Sequence, residues 1–353
     1  MDIGGVCLKV ITFFNNKGGV GKTTLAVNVA SFISTQYGKK VLFLDADPQA
    51  NSTQMMIPED KWQEFYGEDA KRATLMDYLA PIEEGDSSLS FIDGIYPHED
   101  NRFNVDLIPG HPSLSIIEDI LSDSWNKCVG GDLGGFRKTN WLRLLKQHYE
   151  TSSEYDYMFV DVGPSLGALN RSILVNTDFI ITPMGSDIFS LIGVSNISTW
   201  IRNWMHSYSN AITLLFDKHD HQSVQKYPLN FDIESTSRLI GFSIQQYVTR
   251  TFVKGRRPIA SYDQIIRNVP SAIEHYLGYL IRDGLDIENL NLGDVPYLYS
   301  LVPLAQSNKA PMYNLTRTDG VVGGQTSSVK QYKEMLGSIC DKILTNIGDK
   351  DAD

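Results

Sequence analysis

The chain has 353 residues, 42% of them hydrophobic, and a formal net charge of -11, so a sizeable core is within reach and a globally basic nucleic-acid coat is excluded, though a local basic patch is not. Cys7, Cys128 and Cys340 are few, far apart and without metal-ligand spacing, which argues against a disulfide framework and for a reduced compartment. With no leader-like N-terminus and no run near the roughly 18 apolar residues of a membrane helix, the expectation is a cytoplasmic protein.

The first element is the apolar run Lys9-Val10-Ile11-Thr12-Phe13-Phe14, which leads into Asn16-Lys17-Gly18-Gly19-Val20-Gly21-Lys22-Thr23-Thr24 and then Leu25 to Ala30. A β-branched and aromatic run, a Gly-rich turn and an apolar helical stretch read as strand, phosphate loop and helix. Glycines let backbone N–H groups crowd around phosphate oxygens, and the helix N-terminus adds partial positive charge. Lys22 is positioned by this pattern to reach the β and γ phosphates, and Thr23 to ligate Mg²⁺. A dinucleotide fold would need Gly-x-Gly-x-x-Gly, whereas Gly19-Val20-Gly21 continues as Lys22-Thr23-Thr24.

The string Lys17-Gly18-Gly19-Val20-Gly21-Lys22-Thr23-Thr24, with Asn16 where the ordinary phosphate loop has Gly, resembles the deviant Walker A motif of the ParA/MinD family of P-loop ATPases. The resemblance implies one doubly wound α/β domain with a mostly parallel sheet and helices on both faces, binding ATP through Lys17 to Thr24. It also implies an ATP-dependent homodimer in which Lys17 crosses to the partner's phosphates.

Lys39 to Leu44 reads as a second buried strand, ending in Asp45-Ala46-Asp47-Pro48-Gln49 where ligand groups of open α/β sheets lie. The segment resembles the family's Asp-x-Asp-Pro-Gln switch, which makes Asp47 the candidate for positioning the attacking water and puts Asp45 nearer the Mg²⁺ shell. Thr74 to Leu79 reads as a helical patch and Val105 to Gly110 as a short strand and turn. Cys128 to Gly135 reads as a flexible connection, because its glycines lack a following Lys-Thr. Insertions are expected near 57–104, 123–140 and 217–237. Trp141 to His148 has helical spacing, and Tyr157 to Val162 is an apolar strand carrying Asp161 before Gly163-Pro164, a Walker B pattern that would hold Mg²⁺ opposite Thr23.

Phe179 to Met184 and Leu239 to Ile244 read as further strands, with the polar His219-Asp220-His221 region between them taken as a loop without a third metal ligand. Arg250, Lys254, Arg256 and Arg257 form the densest basic stretch and are candidates for nonspecific DNA contact, against the plainer reading of a solvated loop. Near the C-terminus the resemblance gives Pro296 as the proline against adenine, with Pro303 as the fallback. The last apolar stripe, from Val329 to Ile347, is expected to pack on the domain; its mixed-charge polar face is unlike the Lys/Arg-rich face of a membrane-surface helix.

No helix-turn-helix is expected before the first strand. The resulting expectation is a slow, partner-stimulated Mg-ATP-dependent ATPase switch for DNA partition or cargo positioning, cytoplasmic or on the nucleoid, with a ParB-like or other stimulating partner. A MinD-like membrane-associated positioning ATPase and a defence-associated switch are the alternatives. A ligase or amidotransferase relative would want a catalytic Cys beside a His, which the sequence does not offer.

Overall fold

The structure, a computed structural model, describes residues 7–349 except 68, 69, 93, 153, 248, 253, 254, 259 and 299, and the side chains of these residues except 246–264. Its strands are β1 (Lys9–Phe13), β2 (Val41–Ala46), β3 (Asp106–Ile108), β4 (Tyr157–Val162), β5 (Phe179–Gly185), β6 (Arg238–Tyr247), β7 (Thr249–Phe252), β8 (Gly255–Pro258) and β9 (Asn291–Pro296). Seven of them form one sheet in the order β3-β2-β4-β1-β5-β6-β9, parallel at every pairing. Both faces are covered, which explains why β2 and β4 are buried at all six positions each and read as unbroken apolar runs rather than alternating ones. The expected doubly wound α/β architecture is therefore present.

The order places β1 at the centre, with β4 on one side and β5 on the other. The chain winds outward from β1 in both directions, so the loop leaving β1 sits at the crevice beyond the carboxyl ends of the strands. Helix α1 (Lys22–Tyr37) follows that loop, and α2 (Asn51–Met56) follows β2. Helix α3 (Leu114–Val129) and helix α4 (Leu133–Thr139) occupy the region read from sequence as a flexible connection. Asp132 caps α4 by accepting from the Gly135 amide at 2.8 Å, and Gly135 lies directly against the end of α3.

That contact leaves no room for a side chain. A Cβ at Gly135 would stand 2.5 Å from the Cys128 amide nitrogen and 2.8 Å from the Ser124 carbonyl oxygen, both backbone atoms that cannot swing aside. Gly135→Ala is expected to lower stability by about 1–3 kcal/mol, read from the urea midpoint, with nucleotide affinity unchanged.

Helix α5 (Ile188–Lys218) runs into the segment expected to be a polar insertion, where a short helix at His221–Val224 and the buried side chains of Val224, Leu229 and Ile233 make an ordered cover. His221 stacks on Phe216 with ring centroids 4.2 Å apart. Helix α6 (Leu301–Ser307) and helix α7 (Gln325–Asn346) complete the chain. Tyr332, Leu336, Ile339, Cys340 and Ile343 of α7 are buried, so its apolar stripe packs on the domain as its charge pattern predicts. Among the described residues no helix is long and apolar enough to cross a membrane.

Candidate nucleotide site

The loop after β1 is shaped by two kinds of constraint. Gly19 and Gly21 adopt φ of +72° and +78°, a region costly for any residue with a Cβ. Asn15, which the motif string does not include, pins the loop from behind: its Nδ2 donates to the Pro183 carbonyl of β5 at 2.7 Å, and its Oδ1 accepts from the Lys17 amide at 2.9 Å. Helix α1 then starts at Lys22 with no side-chain cap and no acidic residue in its first turn. Its leading amides are left for an anion, reinforced by the helix dipole.

This loop forms one wall of a cleft of about 600 Å³, lined by every residue from Lys17 to Thr24. Asp47, Gln49, Asn51, Gln54, Met55, Pro164, Gln306 and Lys309 line the rest of it. Lys22 is only 7% exposed; its Nζ donates to Asp161 Oδ1 at 2.5 Å and to the Val162 carbonyl. The parallel register puts Asp161 between Phe13 of β1 and Asp45 of β2, which brings the carboxylate behind the phosphate loop. Its second oxygen accepts from Ser52 Oγ at 2.7 Å, a partner for which the sequence carries no signal.

The two aspartates of the Asp45-Ala46-Asp47 segment have separate fates. Asp45 lies within β2 and is fully buried; its Oδ2 accepts from the Thr53 amide at 2.8 Å and the Thr53 hydroxyl at 2.7 Å, and its Oδ1 from the Asp47 amide at 3.2 Å. Burial, reinforced by the charge of Asp161, pushes its carboxyl up to about 7 against the Thr53 hydrogen bonds. Asp45 is fully buried behind the cleft, and its hydrogen bonds to Thr53 fasten the start of α2 to the end of β2.

Asp47 does line the cleft. Burial raises its carboxyl above the usual range, and the Gln49 amide, which donates to Oδ1 at 2.9 Å, and the charge of Lys22 oppose that rise. Gly163, just after the Walker B strand, has a role here. A Cβ at that position would come within 3.1 Å of Asp47 Oδ1, so glycine lets the carboxylate lie close to the β4 loop.

Lys17 forms an ion pair with Asp187 in the same chain. Asp187 also caps α5 by accepting from the Phe189 amide at 3.0 Å and the Ser190 amide at 3.3 Å. Partial burial works to raise the Asp187 carboxyl, yet the Lys17 hydrogen bond and charge, with those amides, hold it below the usual range. The phosphate loop and α5 are thereby joined, and Gly193 of α5 packs so that a Cβ there would meet Asn16 Oδ1 at 3.1 Å.

Pro296, the expected adenine proline, closes β9 opposite Tyr247, and Gln306 and Lys309 are the C-terminal residues that line the cleft. Of the basic candidates, Arg250, Arg256 and Arg257 sit on the antiparallel β7–β8 hairpin, with Arg250 opposite Arg257 and Thr251 opposite Arg256. Lys254 lies outside the described residues. Among the described residues no three His, Cys, Asp or Glu side chains converge to hold a metal, so a cation here would share its ligands with bound phosphates.

A family model described as an AAA domain matches residues 8–214, which spans β1 to the end of the Walker B half and most of α5. The chain belongs to the ParA/MinD-type family of P-loop ATPases. The chromosome partitioning protein ParA of Caulobacter vibrioides is 29% identical over 194 residues, 54% of this chain and 61% of that protein. The chain therefore matches about three fifths of that relative's length. Protein DIP2308 of Corynebacterium diphtheriae is similar throughout, with TM-score 0.74, 28% identity, and coverage of 98% of this chain and 100% of that one. The structure of pNOB8 ParA bound to nonspecific DNA shares the fold at TM-score 0.51 and 20% identity, covering 97% and 99% of the two chains. In this ParA-type chain the family region holds the phosphate loop, Asp45, Asp47, Asp161 and Asp187, whereas Gln306 and Lys309 come from beyond it.

Proposed function

We propose that this ParA-type chain is a Mg²⁺-dependent ATPase switch that dimerises on ATP, hydrolyses it to ADP and phosphate, and serves DNA partition or cargo positioning. The observation that carries the reading is the convergence of Lys17, Lys22, Thr23 and Asp47 on one cleft, with Asp161 directly behind Lys22. Lys22 would exchange its carboxylate partner for the β and γ phosphates, which offer the same kind of charged oxygen. Thr23 would offer Mg²⁺ a hard oxygen donor from the cleft wall, and Asp161 and Asp45 behind it would hold the ion through water. Bound there, the metal would neutralise charge on the transferred phosphoryl group.

Asp47 would orient the attacking water and accept its proton, helped by burial that makes the carboxylate more basic. Lys17 would leave Asp187 and reach the phosphates held by a second copy, stabilising charge much as an arginine finger does. Nonspecific DNA is the proposed matrix, supported by the Arg250, Arg256 and Arg257 hairpin and by the DNA-bound relative of the same fold. A ParB-like or other stimulating protein would trigger the reset.

Lys17→Ala tests the shared site. ATP affinity should survive, but the ATP-dependent dimer should vanish in light scattering and turnover should fall about a hundredfold or more. A variant that dimerises and turns over like wild type would remove the basis for a lysine acting across two chains. DNA co-sedimentation that needs ATP and weakens steeply with salt is expected in parallel.

A further inference from the structure

The ion pair behind the phosphate loop stands in the way of phosphate binding. Lys22 is 7% exposed and Asp161 is fully buried, and the ammonium already has acceptors in Asp161 Oδ1, at 2.5 Å, and the Val162 carbonyl. Lys22 has to release them before it can take phosphate oxygens. Its departure leaves a carboxylate out of reach of bulk water, and a buried charge stripped of its partner is strongly destabilising. The β2–β4 register adds to the difficulty, because it pairs Asp161 with Asp45, a second fully buried carboxylate.

What Asp161 keeps is Ser52. The Ser52 hydroxyl donates to Oδ2 at 2.7 Å, the oxygen that Lys22 does not use, so this bond need not break when Lys22 leaves. Ser52 lies in the first turn of α2, and the next residue anchors that turn separately. Thr53 gives its amide and its hydroxyl to Asp45 Oδ2, at 2.8 and 2.7 Å, and its hydroxyl takes the Gly110 amide at 2.9 Å. Ser52 and Thr53 are both buried, so neither donor is shared with bulk solvent. Helix α2 thus sets one hydroxyl on the aspartate of β4 and the next on the aspartate of β2.

We infer that Ser52 is the positioning residue that lets Lys22 leave Asp161: it gives the carboxylate a fixed donor throughout the exchange, so that nucleotide binding does not strand a bare buried charge. This rests on the ATP reading proposed above. A hydrogen bond to a buried carboxylate is worth more when no ammonium occupies the other oxygen than when one does. Removing the hydroxyl therefore costs the nucleotide-bound chain more than the free chain, and the difference is lost affinity. Water ligands of a bound Mg²⁺ are also donors, and at Asp161 they would stand in for the missing hydroxyl. The loss is therefore greatest when the metal is withheld.

The test is calorimetric titration of the full-length chain with ATP, once in Mg²⁺ and once in EDTA. Wild type should bind in both. Ser52→Ala should lose about tenfold or more in ATP affinity in EDTA, the worth of one hydrogen bond to a charged group, and about threefold or less in Mg²⁺. Ser52→Cys, whose thiol is a weak donor of similar size, should lie between wild type and Ser52→Ala in EDTA and gives a second reading if the alanine variant does not fold. Urea denaturation without nucleotide establishes that each variant is folded before it is titrated. A role in packing α2 alone would weaken ATP equally under the two conditions. Equal loss in both, or no loss in either, would therefore overturn the role of Ser52 and leave the ATPase reading intact. Wild type that binds in Mg²⁺ but not in EDTA would overturn it as well, since the metal would then be what frees Lys22. If wild type bound ATP under neither condition, the ATPase reading would fall and this inference with it.

Discussion

Lys22→Ala is expected to abolish working nucleotide affinity, with binding of Mg-ATP weakened by at least about a hundredfold. The magnitude follows from the loss of two charge-assisted hydrogen bonds to phosphate, together about 3 kcal/mol or more, equivalent to two decades in Kd. A second effect comes from the protein itself. Lys22 is the cation beside the fully buried Asp161, whose other oxygen accepts from the neutral Ser52 hydroxyl. Removing one member of a buried pair leaves the other charge uncompensated, so the nucleotide-free chain should also lose about 3 kcal/mol of stability. Calorimetric titration reads the first effect and urea denaturation the second. A variant that binds ATP normally would end the reading of this loop as a phosphate cradle.

Asp47→Asn is expected to separate binding from chemistry. Asparagine keeps an oxygen for the Gln49 amide, so the loop between β2 and α2 should hold its shape. What it loses is the ability to accept a proton. Turnover should fall by about 10²–10⁴-fold, the usual contribution of a positioned general base, while ATP affinity and ATP-dependent dimerisation stay near wild type. An interaction made only in the transition state lowers kcat and leaves binding alone, which single-turnover measurements with excess enzyme would resolve. If Asp47→Asn turned over normally, the water would have to be positioned by another group.

The contrast between these two aspartates marks where local reasoning stops. Both stand in Asp45-Ala46-Asp47, at the end of a strand where ligands gather; the family resemblance gives them different roles, but nothing in that string says what either carboxylate is bonded to. Thr53 separates them, by giving both its amide and its hydroxyl to Asp45 and by taking the Gly110 amide at 2.9 Å on its own hydroxyl. Gly110 follows β3, more than 60 residues beyond Asp45. Similarly, Lys17 could be read as a lysine for a second chain, but its bond to Asp187 depends on β5 lying beside β1. The region from Cys128 to Gly135 reads as a flexible connection because its glycines lack a following Lys-Thr; it is a tight turn between the end of α3 and the start of α4, held because Asp132 caps α4 and because only glycine fits the close approach of 135 to α3.

The parallel α/β class and its buried strands were determined by the sequence alone, and the phosphate loop with Lys22 and Thr23 and the Walker B aspartate are legible in it as candidates. Each is encoded in a short string: an apolar run that can only be a covered strand, or glycines that admit φ values other residues resist. The tertiary structure alone decided what holds Asp45 and Lys17, and that Gln306 and Lys309 line the cleft. Those outcomes depend on burial and on hydrogen-bond partners brought in by strand order, and neither quantity is stored in residues adjacent along the chain.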